Sequence, residues 1–118
     1  MAHYLAELYT PKPAWLDLSE TERQEFFTGI GSAVPALSAL GVEALALGKV
    51  DQTKRHATPQ TFFAIWRCPD DAALDALVSG IAQSGWHDYF DTINAGGEAT
   101  DLAGHFTQLS EAARNREH

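Results

Sequence analysis

Cysteine is almost absent from the chain, since Cys68 is the only one among 118 residues. A single thiol excludes an internal disulfide and any thiolate-rich metal site. Cys68 begins a helix-like stretch, CPDDAALDAL, where a helix start would favour a reactive thiolate. The neighbouring Asp70 and Asp71 oppose thiolate formation, so we expect Cys68 to be a packed small residue.

Long apolar runs are missing as well. None reaches the roughly 20 residues that a membrane-spanning helix needs. The N-terminal sequence, MAHYLAELYT, lacks the basic start and the apolar segment of a signal peptide. We therefore expect a cytoplasmic protein with no membrane partner.

Basic residues are few, with 8 Lys and Arg against 16 Asp and Glu and a formal net charge of -8. Such a charge repels phosphate backbones and anionic surfaces, so nucleic acid is not a predicted partner. The one basic cluster is Lys49, Lys54, Arg55 and His56, and its turn-forming neighbours favour a solvated loop over an anion site.

Nucleotide and metal motifs are not found either. In GIGSAV, Gly29 and Gly31 lack the third glycine of a nucleotide-binding loop, and they follow a helical pattern instead of a strand. The histidines show no paired spacing of the H-E-x-x-H type. No cofactor and no metal is predicted.

The composition that remains is globular, with 45% apolar and 20% charged residues. A chain of this length predicts one domain, residues 1–118. The first strand is predicted at residues 3–9. Ser19 and Glu22 then form a capping box at a helix start, and Pro35 predicts a kink or break in that helix near residues 31–35.

Two strands, residues 42–49 and 60–68, are predicted to form a hairpin with a long loop. A helix follows Pro69, because apolar residues recur at helical spacing from Leu74 to Ile81. The stretch SGWHDYFDTINAGG predicts a fourth strand that ends in a turn at residues 94–97. Residues 100–114 complete the chain as a helix.

The element order is β-α-β-β-α-β, which is the ferredoxin-like α+β fold: an antiparallel sheet with helices on one face, plus a C-terminal helix. Both parities of the strands are apolar, so a second layer must cover the open face. The even-numbered set includes Tyr4, Leu8, Ala64, Trp66 and Phe90, and the odd-numbered set includes Leu5, Leu47, Phe63, Ile65 and Tyr89. The C-terminal helix would cover part of that face; a second copy of the sheet would cover all of it, and we expect a homodimer.

The segments YLAELYTPKPAWL, PALSALGVEALALG, FFAIWRCPD and SGWHDYFDTINA resemble a family of small bacterial proteins of unknown function. The chain is also similar to the dimeric α+β barrel proteins, whose ferredoxin-like domains pack sheet against sheet. The first resemblance extends from residue 1 to about residue 97. It implies the fold and no assigned reaction.

The residues of WHDYFD are the candidate site. On a strand, His87, Tyr89 and Asp91 would share one side. The end of strand one lies near the start of strand four in this fold, which would bring Glu7 and Tyr9 towards His87 and Tyr89. His87 is then the candidate acid or base, Glu7 would orient it, and Tyr9 or Tyr89 would donate a hydrogen bond to a substrate oxygen. The alternative is that Glu7 and His87 form a structural pair across strands.

Two further groupings follow from the same placement of strands. His3, Arg67 and Asp91 are expected together at the opposite end of the sheet. Four alanines on one parity either let the helices approach closely or leave room for a flat apolar ligand beside Trp66 and Trp86. These alanines are Ala6, Ala44, Ala46 and Ala64.

Fold relatives that act as cofactor-independent monooxygenases or small isomerases hold organic substrates between sheet and helices. This analogy implies that the chain binds a small aromatic or carbonyl ligand and acts on it in one of these ways. The alternative is a non-catalytic homodimeric module that binds a metabolite or a partner protein.

Overall fold

A computed structural model describes residues 1–116. Four strands form one antiparallel sheet: β1 (His3–Pro11), β2 (Glu43–Lys49), β3 (Phe62–Cys68) and β4 (Phe90–Glu98). Five helices accompany them: α1 (Pro13–Leu16), α2 (Glu20–Ala39), α3 (Asp71–Gln83), α4 (Trp86–Tyr89) and α5 (Leu102–Arg116). In the part of the chain that the structure describes, no helix is both long and apolar enough to cross a membrane.

The strand order is β2-β3-β1-β4, with β1 antiparallel to both of its neighbours. This order and the helices that follow β1 and β3 confirm the predicted ferredoxin-like α+β fold. The long β2–β3 hairpin is confirmed too, since the two strands pair antiparallel across the connection between Lys49 and Phe62.

The core lies between the sheet and α3. Leu5 of β1 and Cys68 of β3 pack against Ala73, Leu74 and Leu77 of α3. Asp70 begins α3, because its side chain accepts a hydrogen bond from the Ala73 amide at 2.8 Å. Cys68 has 0% exposure, which confirms that it is a packed residue, and burial raises the pKa of its thiol.

Helix α2 begins at the predicted capping box. The Ser19 hydroxyl accepts from the Glu22 amide at 3.1 Å, and the Glu22 carboxylate accepts from the Ser19 amide at 2.9 Å. Of the predicted kink or break near Pro35, the break is wrong, since the helix is continuous from Glu20 to Ala39. Pro35 is exposed, so water can satisfy the carbonyl that its ring leaves without an amide partner.

The predicted start of the fourth strand is wrong. Gly85 has φ 87°, a left-handed conformation that suits glycine, and the following residues Trp86–Tyr89 form one helical turn before β4 begins at Phe90. The predicted turn at residues 94–97 is also wrong, because β4 runs through it and pairs with β1 as far as Glu98. Backbone pairing with the central strand β1 along its whole length outweighs the weak strand propensity of Asn94 and two glycines of β4.

The strand register distributes the apolar residues between the two faces of the sheet, and this distribution differs from the predicted odd-numbered and even-numbered sets. Odd positions of β1 lie opposite even positions of β3, as in the pair Leu5 and Trp66. A bulge in β2 between Ala44 and Ala46 shifts that strand as well, so the four alanines do not share a face. Ala44 and Ala64 lie on the helix side, and Ala6 and Ala46 lie on the open side.

Candidate functional site

A cavity of about 440 Å³ lies between α2, α3 and the helix side of the sheet. Its wall is almost wholly apolar. The sheet contributes Glu7, Tyr9, Leu47, Ala64 and Trp66; α2 contributes Ile30, Ala33, Val34, Ala36 and Leu37; α3 and the segment after it contribute Leu77, Gly80, Ile81, Ser84 and Trp86. Both tryptophans that the sequence associated with a ligand pocket therefore line it.

Glu7 is the buried charged side chain of this cavity. It lies in the middle of β1, between Ala64 of β3 and Asn94 of β4, and only 3% of it is exposed. Its Oε1 accepts a hydrogen bond from the Trp66 indole Nε1 at 2.7 Å. Its Oε2 is buried and has no hydrogen-bond partner among residues 1–116. Unpaired buried carboxyl oxygens are rare in folded proteins, so this atom makes the cavity the candidate site.

Burial raises the pKa of the Glu7 carboxyl above its ordinary value of 4.5, and the hydrogen bond from Trp66 partly offsets that rise. Burial also raises the pKa of the Tyr9 hydroxyl, with a further contribution from the negative charge of Glu7. Glu7 is thus a stronger base than a carboxylate in water, and Tyr9 keeps its proton at neutral pH. These two groups are the ionisable side chains that line the cavity.

An aromatic cluster closes one end of the cavity. The Trp86 ring stacks on Phe90 with centroids 4.1 Å apart and meets the edge of Tyr9 at 5.0 Å. Trp15 and Phe26 extend the cluster towards α1 and α2. The Trp86 indole also donates to the Thr92 hydroxyl at 3.2 Å. The aromatic residues of WHDYFD are therefore packing groups that shape the cavity.

The four predicted site residues separate into two pairs. Glu7 and Tyr9 line the cavity, while His87 and Tyr89 lie on α4 outside its lining. His87 is exposed, and its backbone carbonyl accepts from Lys12 Nζ at 2.7 Å. Tyr89 packs against Trp15 and Phe26. The expected Glu7–His87 pair is not formed, because a helical turn replaces the strand that would have aligned them.

The second predicted grouping is wrong for Asp91, for a related reason. His3 lies opposite Cys68 and Glu98 at one end of β1, whereas Asp91 lies opposite Thr10 near the other end. Arg67 lies opposite Tyr4, at the same end of the sheet as His3, and approaches Glu43 on the neighbouring strand at 3.9 Å. Because β4 starts later than predicted, each of its residues lies opposite a different residue of β1 from the one expected.

Sequence reasoning missed the α2 side of the cavity. Ile30, Val34 and Leu37 recur at helical spacing, which predicts a stripe packed on the core, yet the structure buries none of the residues of α2 completely. Ala33 and Ala36 could have indicated the cavity in the sequence, because small residues beside large ones on a helix leave space between that helix and a sheet. Trp66 as the partner of Glu7 was not predicted, because their pairing depends on the register of β1 and β3.

A second depression, of about 510 Å³, is lined by Thr10, Pro11, Leu16, Lys49, Val50, Gln52, Thr61 and Phe62. It has no buried ionisable side chain among these residues. Residues 1–116 contain no group of three or more His, Cys, Asp or Glu side chains placed to hold a metal ion. The cavity over Glu7 is therefore the candidate site.

Residues 2–112 match a family of unknown function, DUF6616. The chain belongs to this family. No curated protein matches the sequence. Membership in DUF6616 confirms the predicted resemblance to a family of unknown function.

Solved structures share the fold of this DUF6616 member. A mutant chlorite dismutase from Candidatus Nitrospira defluvii aligns with a TM-score of 0.62 and 13% identity, over 87% of this chain and 43% of that one. The chain thus spans less than half of that protein. A protein of unknown function from Rhodopseudomonas palustris aligns with a TM-score of 0.56 and 16% identity, over 85% and 83% of the two chains.

A dabb family protein from Mesorhizobium loti, described with a ferredoxin-like fold, has a TM-score of 0.49 and 14% identity over 85% of this chain and 98% of that one. At such identities the likeness concerns the fold alone.

Proposed function

We propose that the cavity over Glu7 binds a small, uncharged organic molecule that bears an aromatic ring or a carbonyl group. The supporting observation is the Glu7 carboxyl, whose buried Oε2 has no partner in residues 1–116 while the surrounding wall is apolar. A volume of about 440 Å³ suits a ligand of one or two rings, since ligand pockets of roughly 300–1,000 Å³ are usual.

The polarity of the cavity defines the ligand further. Apolar ligand surface replaces water against α2 and α3, and a ligand carbonyl accepts a hydrogen bond from the Tyr9 hydroxyl beside Glu7. An anionic ligand is disfavoured, because its charge would lie beside a carboxyl group in a site of low dielectric constant. A base of raised pKa beside a protonated tyrosine supplies the proton transfer that either a cofactor-independent monooxygenase or an isomerase would need.

A thermal-shift titration with acetophenone, a small aromatic ketone, tests this binding. We expect acetophenone to raise the melting temperature and benzoate, of similar size but negatively charged, to leave it unchanged. Ala33→Trp places a large ring in the cavity and should abolish the response. Ser32→Trp is the matched control, because Ser32 is its exposed neighbour outside the lining.

Equal responses of the two tryptophan variants, or an equal response to benzoate, would refute the site. A native mass spectrum of protein purified without added ligand gives an independent test. We expect a discrete extra mass on the protein, and Ala33→Trp should remove that mass.

We also propose that two copies associate through the open face of the sheet. That face is largely apolar, and α1, α2 and α3 all pack on the other side. Its apolar side chains are Tyr4, Ala6, Leu8, Ala46, Phe63, Ile65, Ile93 and Ala95, and the same face carries Thr10, Glu43, Arg67 and Asp91. If the cavity proves empty and inert, this face still favours the alternative function, a homodimeric interaction module.

A further inference from the structure

We propose that Glu7 moves one proton between two carbons of an uncharged β,γ-unsaturated ketone and returns that same proton to the substrate. The inference rests on the proposed function, since it requires a ketone in the cavity. It assigns the reaction class, an isomerisation that conjugates the double bond, and it separates this reaction from oxygenation.

The surroundings of Oε2 determine the fate of the proton. Among the residues that line the cavity, Tyr9 is the only other ionisable group, and the remaining side chains are apolar apart from Ser84 and the two indoles. The Ser84 hydroxyl already donates to the Ile81 carbonyl at 2.6 Å. His87, the side chain that would relay a proton to water, is exposed on α4. A proton taken up by Glu7 therefore has the substrate as its nearest acceptor.

The orientation of the carboxyl suits this role. Trp66 holds Oε1 through its indole, and Oε2 is the buried carboxyl oxygen that has no partner in residues 1–116. When one oxygen of a carboxylate base is already held by a hydrogen bond, the base loses little orientational freedom as substrate binds. Trp66 is thus a positioning residue, and Glu7 is the catalytic residue.

The step conserves atoms and electrons. Glu7 Oε2 takes a proton from the carbon between the carbonyl and the double bond, and the C–H electrons enter a dienolate. The Tyr9 hydroxyl donates a hydrogen bond to the dienolate oxygen. The protonated Glu7 then delivers its proton to the terminal carbon of the former double bond, which regenerates the carboxylate. No oxidant, reductant or cofactor takes part.

The test uses cyclohex-3-en-1-one as the probe and follows the conjugated enone by its ultraviolet absorbance. We expect wild-type turnover and a loss of at least about 100-fold in Glu7→Gln, which keeps the shape of the side chain and an acceptor for Trp66. The reaction is repeated in D₂O, where direct return of the proton predicts a product that is mostly undeuterated at the receiving carbon.

Trp66→Phe removes the indole donor, and we expect a lower kcat and a pH–rate profile displaced to higher pH. Trp15→Phe is the matched control, since Trp15 lies on α1 outside the lining of the cavity and its indole does not bond to Glu7. Wild-type turnover no faster than that of Glu7→Gln would overturn the inference, as would complete deuteration at the receiving carbon. If acetophenone still binds, either result leaves the binding proposal intact, whereas failure of both experiments removes the site.

Discussion

Glu7 lies in a buried position, where an unpaired carboxylate lowers the stability of the folded protein. Its one hydrogen bond comes from Trp66, and Oε2 receives none from residues 1–116. Removing a charged group from water without full compensation disfavours the charged form, which the raised pKa expresses. A carboxyl kept in such a place at a cost to folding fits a role in binding or catalysis.

The pH dependence of stability should reveal this cost. Below the ordinary pKa of 4.5, Glu7 is protonated in both the folded and the unfolded chain, and its contribution to stability is fully present. As the pH rises towards the raised folded pKa, the unfolded chain releases its proton first, and stability is lost. Relative to Glu7→Gln, the wild-type free energy of unfolding should fall by up to about 1.4 kcal/mol per pH unit in that interval.

Urea denaturation of both proteins at several pH values measures this difference. Glu7→Gln removes the titration and keeps the buried shape, so effects of the other carboxyl groups cancel in the comparison. A difference that stays constant from pH 4 upward would mean that Glu7 titrates normally in the folded protein.

The residue types of the sequence predicted some local properties of this site, but they did not predict which side chains meet in it. Cys68 was predicted to be packed from the acidic residues that follow it, and that local argument holds. The partner of Glu7 was not available from local sequence, because it depends on which residue of β3 lies beside β1. His87 was the chemically obvious candidate, yet one glycine conformation before it determines that it faces solvent.

At the scale of elements, α2 shows how local signals define a helix. Its start is fixed by reciprocal hydrogen bonds between Ser19 and Glu22, and those bonds lower the pKa of the Glu22 carboxyl. Its packing is weak, since none of its residues is buried. The ends of this helix therefore matter more to its stability than they would in a helix with a buried face.

Ser19→Ala should lower the free energy of unfolding by about 1 kcal/mol, because the first turn of α2 loses its acceptor. Ser38→Ala, in the exposed last turn of the same helix, is the control and should change stability by less than about 0.5 kcal/mol. Denaturant unfolding with circular dichroism measures both. Equal effects of the two substitutions would show that the capping box does not stabilise the helix.

The existence, order and type of the four strands and of the three longer helices were all predictable from hydrophobic period and turn residues. The positions of α4 and the start of β4 were not. Aromatic residues fit a strand and a helical turn equally well, and the decision came from Gly85 and from packing around Trp86.

The whole molecule is extended for its size. Its radius of gyration is 16.8 Å, whereas a compact chain of this length has one of about 13.5 Å. Helix α5 accounts for part of the difference, because Leu102, Phe106 and Leu109 are all more than half exposed. The sequence predicted that the C-terminal helix would cover part of the open face of the sheet, but α5 does not pack on it.

Association through that face predicts the effect of Ile93→Asp. Ile93 lies on the open face of β4 and is 55% exposed, so a charge there should leave the monomer folded while opposing contact between two sheets. Val78→Asp, on the exposed side of α3, is the control. Light scattering should give twice 12.8 kDa for the wild type and the control, and 12.8 kDa for Ile93→Asp. A wild-type mass of one chain would refute association through the sheet.

The weak attachment of α2 has a consequence for how the cavity fills. The floor of the cavity belongs to β1 and β3 at the centre of the sheet, whereas α2 forms a wall without a single buried residue. Local opening requires the least free energy where few apolar contacts are broken, so amide hydrogens of α2 should exchange with solvent well before those of β1. A ligand that touches both parts would slow exchange in the wall without altering the floor. Hydrogen exchange of the α2 amides would thus report most directly whether a ligand fills the cavity, although α2 contributes least to the stability of the empty protein.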